Sequence, residues 1–172
     1  ELPRAELLAL AARLGSDVPA LLAGGLQLVE GFGERLTGQA RQHDYFLLLA
    51  VPRFVSATGP AFTALERDHE PRAAKSVPRL AEVLSSAGVS DSAASGEHPL
   101  AAAGELLNND FESVLLPQWP QYLDWFQRLL GLGALAVSLS GSGSAFYGIF
   151  ATEARAGSAL ARLQENAGEF RY

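Results

Sequence analysis

Cysteine is absent from the 172 residues, which removes disulfides, thiolate nucleophiles and cysteine-based zinc sites together. Lysine is nearly absent. The only one, Lys75, lies in Glu70-Pro71-Arg72-Ala73-Ala74-Lys75-Ser76-Val77-Pro78, a polar, proline-flanked stretch that reads as a surface loop. The sequence has no Gly-x-x-x-x-Gly-Lys-Ser/Thr loop, and Gly-x-Gly-x-x-Gly fails at Phe146. The Gly-x-Ser-x-Gly elbow of serine hydrolases fails too, because Ser142 and Ser144 have serine two residues upstream where glycine is needed. His43, His69 and His98 are far apart and show no ligand spacing, so no metal site is expected. No uncharged apolar run approaches a bilayer span, and no basic segment precedes a signal-like run, so no membrane partner is expected. A basic cluster is missing as well, and the formal net charge of −6 argues against a nucleic-acid partner.

What is there is globular. Apolar residues make up 48% and charged residues 19%, a balance that supports a packed core rather than disorder. The length suits one full domain, or one domain plus part of another. A soluble cytoplasmic protein is the expectation.

The chain is organised around residues 131–150. Two apolar runs of strand length, 134–139 and 145–150, flank Ser140-Gly141-Ser142-Gly143-Ser144. Small residues let a backbone bend sharply and bring its N–H groups close to an anion or to another backbone. Composition alone would also fit a flexible linker. Because both ends run directly into hydrophobic segments, the pattern predicts an ordered loop between two buried strands.

In chain order, residues 4–14 carry leucine and alanine at helical spacing, and Gly15 ends that helix. Ser16-Asp17-Val18-Pro19 reads as a new start, with Ser16 or Asp17 capping and proline in the first turn. Gly24-Gly25 stop it. Residues 26–30 alternate like a half-buried strand, and Gly31-Phe32-Gly33 turn it into Glu34-Arg35-Leu36-Thr37 as a hairpin. Residues 45–51 form a continuous apolar run, the pattern of a strand buried on both faces, ended by Pro52. A helix is expected from Thr58-Gly59-Pro60 onward, carrying Phe62 and Leu65 inward. Residues 68–98 read as loops around a short helix at 77–84, with 85–97 the most mobile part. Residues 100–107 and 119–130 are helix-like, joined through Asn108-Asn109-Asp110-Phe111-Glu112. A last helix spans 152–165, and 169–172 begin a strand. The rhythm implies an α+β fold, an antiparallel sheet with helices on one face.

Leu14-Gly15-Ser16-Asp17-Val18-Pro19, Gly24-Gly25 and Val29-Glu30-Gly31-Phe32-Gly33-Glu34-Arg35-Leu36-Thr37 together resemble the 4-diphosphocytidyl-2-C-methyl-D-erythritol kinase family. That family belongs to the galactokinase, homoserine, mevalonate and phosphomevalonate kinase superfamily. Asn109-Asp110-Phe111-Glu112, Trp119-Pro120 (where the family usually has Tyr-Pro), and Gly133-Ala134-Leu135 leading into Ser140–Ala145 follow in the family's order. Each motif is weak alone. Their order along nearly the whole chain is specific.

The resemblance implies transfer of the γ-phosphate of ATP, with Mg2+ accompanying it, to the 2-hydroxyl of a cytidyl-methylerythritol intermediate of non-mevalonate isoprenoid biosynthesis. It implies that Asp17 acts on the hydroxyl being phosphorylated, a role a carboxylate can fill by accepting or orienting the proton. The bland reading of Asp17 is a helix N-cap. Phe62 falls where the family stacks an aromatic on cytosine; an apolar helix face is the alternative. Gly141, Ser142, Gly143 and Ser144 match the superfamily's third motif, which supports the phosphate-binding loop, or they form only a tight packing turn. Asn109 and Glu112 read as residues that cap and hold loops.

The family's glycine-rich ATP loop and the lysine that pairs with its aspartate belong upstream of Asp17, and neither is found in this sequence. Ala20 also replaces a bulky aromatic common after Asp-Val-Pro. The expectation is therefore that residues 1–43 are the tail of an ATP-binding domain and 44–172 the C-terminal domain of a kinase. The missing N-terminal half of the same protein would complete the site, and the segment alone would be inactive. The alternative is a non-catalytic ligand-binding or assembly module on the same scaffold.

Overall fold

A computed structural model of the chain describes residues 2–39, 45–68, 107–165 and 168–171. The expected helices at 77–84 and 100–107 and the segment 85–97 lie outside the described residues, apart from Leu107.

The first unit is a helical pair followed by a hairpin. Helix α1 (Arg4–Leu14) ends at Gly15, whose N–H reaches the Ala11 carbonyl. Helix α2 (Val18–Ala23) has Pro19 in its first turn, where a missing N–H costs nothing, and stops at Gly24. Strands β1 (Leu26–Glu30) and β2 (Arg35–Gln39) pair antiparallel, with Val29 opposite Leu36 and Glu30 opposite Arg35.

The second unit is a three-stranded antiparallel sheet in the order β3-β5-β4, built from β3 (Phe46–Ala50), β4 (Ala136–Leu139) and β5 (Phe146–Phe150). Among the described residues, helices α3 (Thr58–Asp68), α4 (Glu112–Gln118), α5 (Gln121–Gly131) and α6 (Glu153–Gln164) accompany it. The architecture is α+β. Helix α5 presents Tyr122, Trp125 and Leu129 to the core at helical spacing, and α6 adds Ala159 and Leu163. Trp125 stacks on Phe146 with centroids 5.5 Å apart, and Phe54 stacks on Trp119 at 4.2 Å. The Thr152 hydroxyl caps α6 by accepting from the Arg155 N–H.

Several expectations change. The run at 45–51 is not buried on both faces. Leu48 and Ala50 face the core, whereas Leu47 and Leu49 are 57% and 60% exposed, because alternate residues of a strand point to opposite faces and these two point away from the core face. Phe62 is not carried inward. It is 50% exposed, and Ala61 takes the buried position on α3. The junction at 109–112 leads into a helix of its own, α4, and the helix expected at 119–130 begins after Trp119-Pro120. The expected strand at 169–172 is a single bridge between Pro52 and Phe170. Its anchor is the Phe170 side chain, buried against Trp125.

Candidate functional site

The glycine-serine segment is an ordered hairpin connection between β4 and β5, closed by the Ser140 N–H to the Ala145 carbonyl at 2.9 Å. Within it the Gly143 N–H donates to Ser140 at 3.1 Å. Gly143 adopts a φ of 72°, open to glycine and rarely to other residues. A Cβ there would also press on Leu115 Cδ1 at 3.1 Å and Tyr122 Oη at 3.4 Å.

Side chains from three helices grip this loop. The Asn109 amide, just ahead of α4, donates to the Leu139 carbonyl at 3.0 Å and the Gly141 carbonyl at 2.9 Å. Its oxygen accepts from the Phe111 N–H at 3.0 Å. The Glu112 carboxylate accepts from the Leu139 N–H at 2.9 Å and from the Ser138 hydroxyl at 2.7 Å. Together Asn109 and Glu112 serve the backbone groups of Leu139 as a neighbouring strand would. From α5, the buried Tyr122 hydroxyl donates to the Ser144 carbonyl at 2.9 Å. From α3, the Thr58 hydroxyl meets the Ser142 hydroxyl at 3.2 Å. Burial pushes the Tyr122 phenol up to about 12, so it is a neutral donor at physiological pH.

Phe62 lies on the same side of the fold. It lines a cavity of about 310 Å³ with Asn109, Phe111, Leu139 and Tyr147, and its ring meets Phe111 edge-on at 4.9 Å. The Tyr147 phenol is raised by burial, partly offset by its bond with Ser138.

Asp17 occupies the residue before α2, yet its side chain makes no capping hydrogen bond. Its own backbone is helical, at φ −86° and ψ −19°, which is not the extended geometry of a capping residue. The expectation that Asp17 caps α2 is corrected on both counts. The Ser16 hydroxyl approaches the Asp17 carboxylate at 3.5 Å, and that carboxylate stands exposed at a cleft of about 390 Å³ that Ala20, Leu21, Gln27 and Val29 also line. Asp17 therefore lies between α1 and α2, whereas Phe62 is on α3 and residues 141–144 join β4 to β5. Tyr122 and Thr58 were not singled out in the sequence. Both sit on helices, and only the fold brings them to the loop.

Residues 92–169 match the family described as GHMP kinases C terminal. That match covers less than half of the chain. Beyond the domain, the chain is 39% identical over 158 residues to the 4-diphosphocytidyl-2-C-methyl-D-erythritol kinase of Synechococcus sp. strain JA-3-3Ab, a match covering 90% of this chain and 48% of that protein. It is 34% identical over 169 residues to the kinase of the same name from Synechococcus elongatus, covering 95% and 53%. A solved structure of 4-(cytidine 5′-diphospho)-2C-methyl-D-erythritol kinase superposes with a TM-score of 0.65 at 28% identity, over 92% of this chain and 53% of that one. A homoserine kinase from Cytophaga hutchinsonii superposes at 0.71 with 17% identity, over 98% and 56%, and shares the fold. The chain spans about half the length of the curated relatives it matches. The GHMP kinase fold thus accounts for the α+β architecture, and among the described residues no helix is long and apolar enough to cross a membrane.

Proposed function

We propose that the intact protein is a GHMP kinase that moves the γ-phosphate of ATP onto the 2-hydroxyl of 4-diphosphocytidyl-2-C-methyl-D-erythritol. The similarity to kinases of that name along 90% of the chain carries this reading, and the geometry of Asp17 supports it. A carboxylate without a capping partner at the edge of a cleft is free to accept or orient a substrate hydroxyl proton. In this reading residues 1–43 belong to the ATP-binding domain and 44–172 to the C-terminal domain. The phosphate loop and a lysine come from the other half of the protein, and positive charge there stabilises the transferring phosphoryl group.

The loop at Gly141, Ser142, Gly143 and Ser144 would support that phosphate site. Its shape is held by Asn109 and Tyr122, and its Ser142–Thr58 hydroxyl pair is exposed. Phe62, half exposed beside its cavity, would offer a ring face to the cytosine. Among the described residues no group of three or more His, Asp or Glu side chains could hold a metal ion. In this reading Mg2+ accompanies ATP. A non-catalytic module on the same scaffold has no observation that favours it over the kinase.

The test is phosphoryl transfer by the intact protein, with the cytidyl substrate set against homoserine and mevalonate. Transfer to the cytidyl substrate is expected, and Asp17→Asn should lower kcat by about 100-fold or more. No transfer to the cytidyl substrate would overturn the assignment, and an Asp17→Asn enzyme with full kcat would remove Asp17 from the chemistry.

A further inference from the structure

The turn of the β1–β2 hairpin packs onto the backbone immediately before Asp17. Gly33 is buried, with a φ of 94°, a conformation L side chains rarely adopt. A Cβ at Gly33 would overlap the Ser16 carbonyl oxygen and lie 2.6 Å from its carbonyl carbon and 2.8 Å from Ser16 Cα. No rotamer change relieves such an overlap, since every one of those atoms is backbone. On its other side the Asp17 peptide is tied into α2, where its carbonyl accepts from the Leu21 N–H at 3.1 Å and Pro19 is fully buried. Asp17 thus sits between a helix start and a hairpin turn.

The turn is itself locked. The Glu34 carboxylate accepts from the Phe32 N–H at 2.6 Å. Bonds from its own N–H and from that of Phe32 hold it below the usual carboxylate range. A charge-assisted bond across three residues keeps Gly33 aimed at Ser16. Gly33 and Glu34 do not line the Asp17 cleft.

We propose that Gly33, held by the Glu34 lock, is a positioning residue: it sets the height of the Ser16-Asp17 peptide and so aims the Asp17 carboxylate at the substrate hydroxyl. This rests on the catalytic reading of Asp17 above. An added methyl at Gly33 displaces Ser16 and the Asp17 peptide behind it, and a misplacement of about 1 Å can cost about 100-fold in rate.

The experiment is a double-mutant cycle on the intact kinase. Gly33→Ala should lower kcat by about 10- to 100-fold, with KM for ATP and for the cytidyl substrate within about 3-fold, because Gly33 does not line the Asp17 cleft. In an Asp17→Asn background the same change should cost nothing further, since a residue that acts only through Asp17 has nothing left to aim. A merely structural glycine would cost the same in both backgrounds, and that additivity would overturn the inference. So would a silent Gly33→Ala in an enzyme that Asp17→Asn cripples. Full kcat in Asp17→Asn would instead overturn the catalytic reading itself, and the positioning role with it. Should Gly33→Ala not fold, Glu34→Gln runs the same cycle: a loss of several-fold that vanishes in the Asp17→Asn background supports the proposal, and an equal loss in both, or none, overturns it.

Discussion

The Asn109 amide nitrogen lies 2.9 Å from the Gly141 carbonyl oxygen, 32 residues downstream in the chain. The same nitrogen donates to Leu139, and the Asn109 oxygen accepts from Phe111. One side chain therefore joins the last residue of β4, the glycine loop and the start of α4. Asn109→Ala should destabilise the protein by about 2–3 kcal/mol, the sum of three ordinary hydrogen bonds. Asn109→Asp should cost at least as much, because a carboxylate oxygen would face two carbonyls that need a donor. Urea unfolding of the three proteins decides this. An Asn109→Asp protein as stable as the parent would mean the loop is not held this way.

Tyr122 offers a pH-dependent counterpart. Tyr122→Phe keeps the ring and loses the bond to Ser144, a change of about 1 kcal/mol. The parent protein also carries a phenol raised by burial from 10.0 to about 12. The folded state binds the phenolic proton more tightly, so this contribution is complete below pH 10.0 and is lost as the pH rises towards 12. Tyr147 is raised too, so the comparison isolates Tyr122. The parent should lose stability more steeply than Tyr122→Phe across that interval in denaturant titrations. Parallel curves would refute the assignment.

At the acid end the relevant group is Glu34. Its carboxylate is held below the ordinary value of 4.5 by backbone N–H bonds, its own first and then that of Phe32. A depressed carboxylate contributes above its unfolded value and loses that contribution as the pH falls through its folded one. Below pH 4.5 the turn should loosen. The Phe32 amide resonance should move with the Glu34 titration, and a Phe32 amide that ignores it would show the lock is absent.

Phe62 separates recognition from folding. Phe62→Ala removes an edge contact with Phe111 worth about 1 kcal/mol, so the fold should survive. Loss of stacking on a base, about 1–3 kcal/mol, should raise KM for the cytidyl substrate about 5- to 150-fold while KM for ATP stays put. A raised KM for ATP alone would move Phe62 to the other substrate.

The sequence by itself determined the α+β class, the helix ends at Gly15 and Gly24, the β1–β2 hairpin, and the ordered loop between two strands. These are local matters. Glycine, proline and apolar periodicity act over a few residues. The motif around Asp17 was legible too, but its freedom from capping was not. A side chain that can cap does so or not according to its backbone torsions and its neighbours.

Which distant residues meet was set by packing. Leu47 and Leu49 stand exposed because they point to the face of β3 away from the core, which an apolar run does not reveal. Thr58 on α3, Asn109 just ahead of α4 and Tyr122 on α5 converge on residues 141–144, and burying the aromatic face of α5 on β5 fixes where Tyr122 lies. Gly33 comes to rest on Ser16 for a similar reason: the hairpin register and the helical pair meet there, with no room for a Cβ. Neighbours distant in sequence are chosen by packing, and packing is a property of the whole fold.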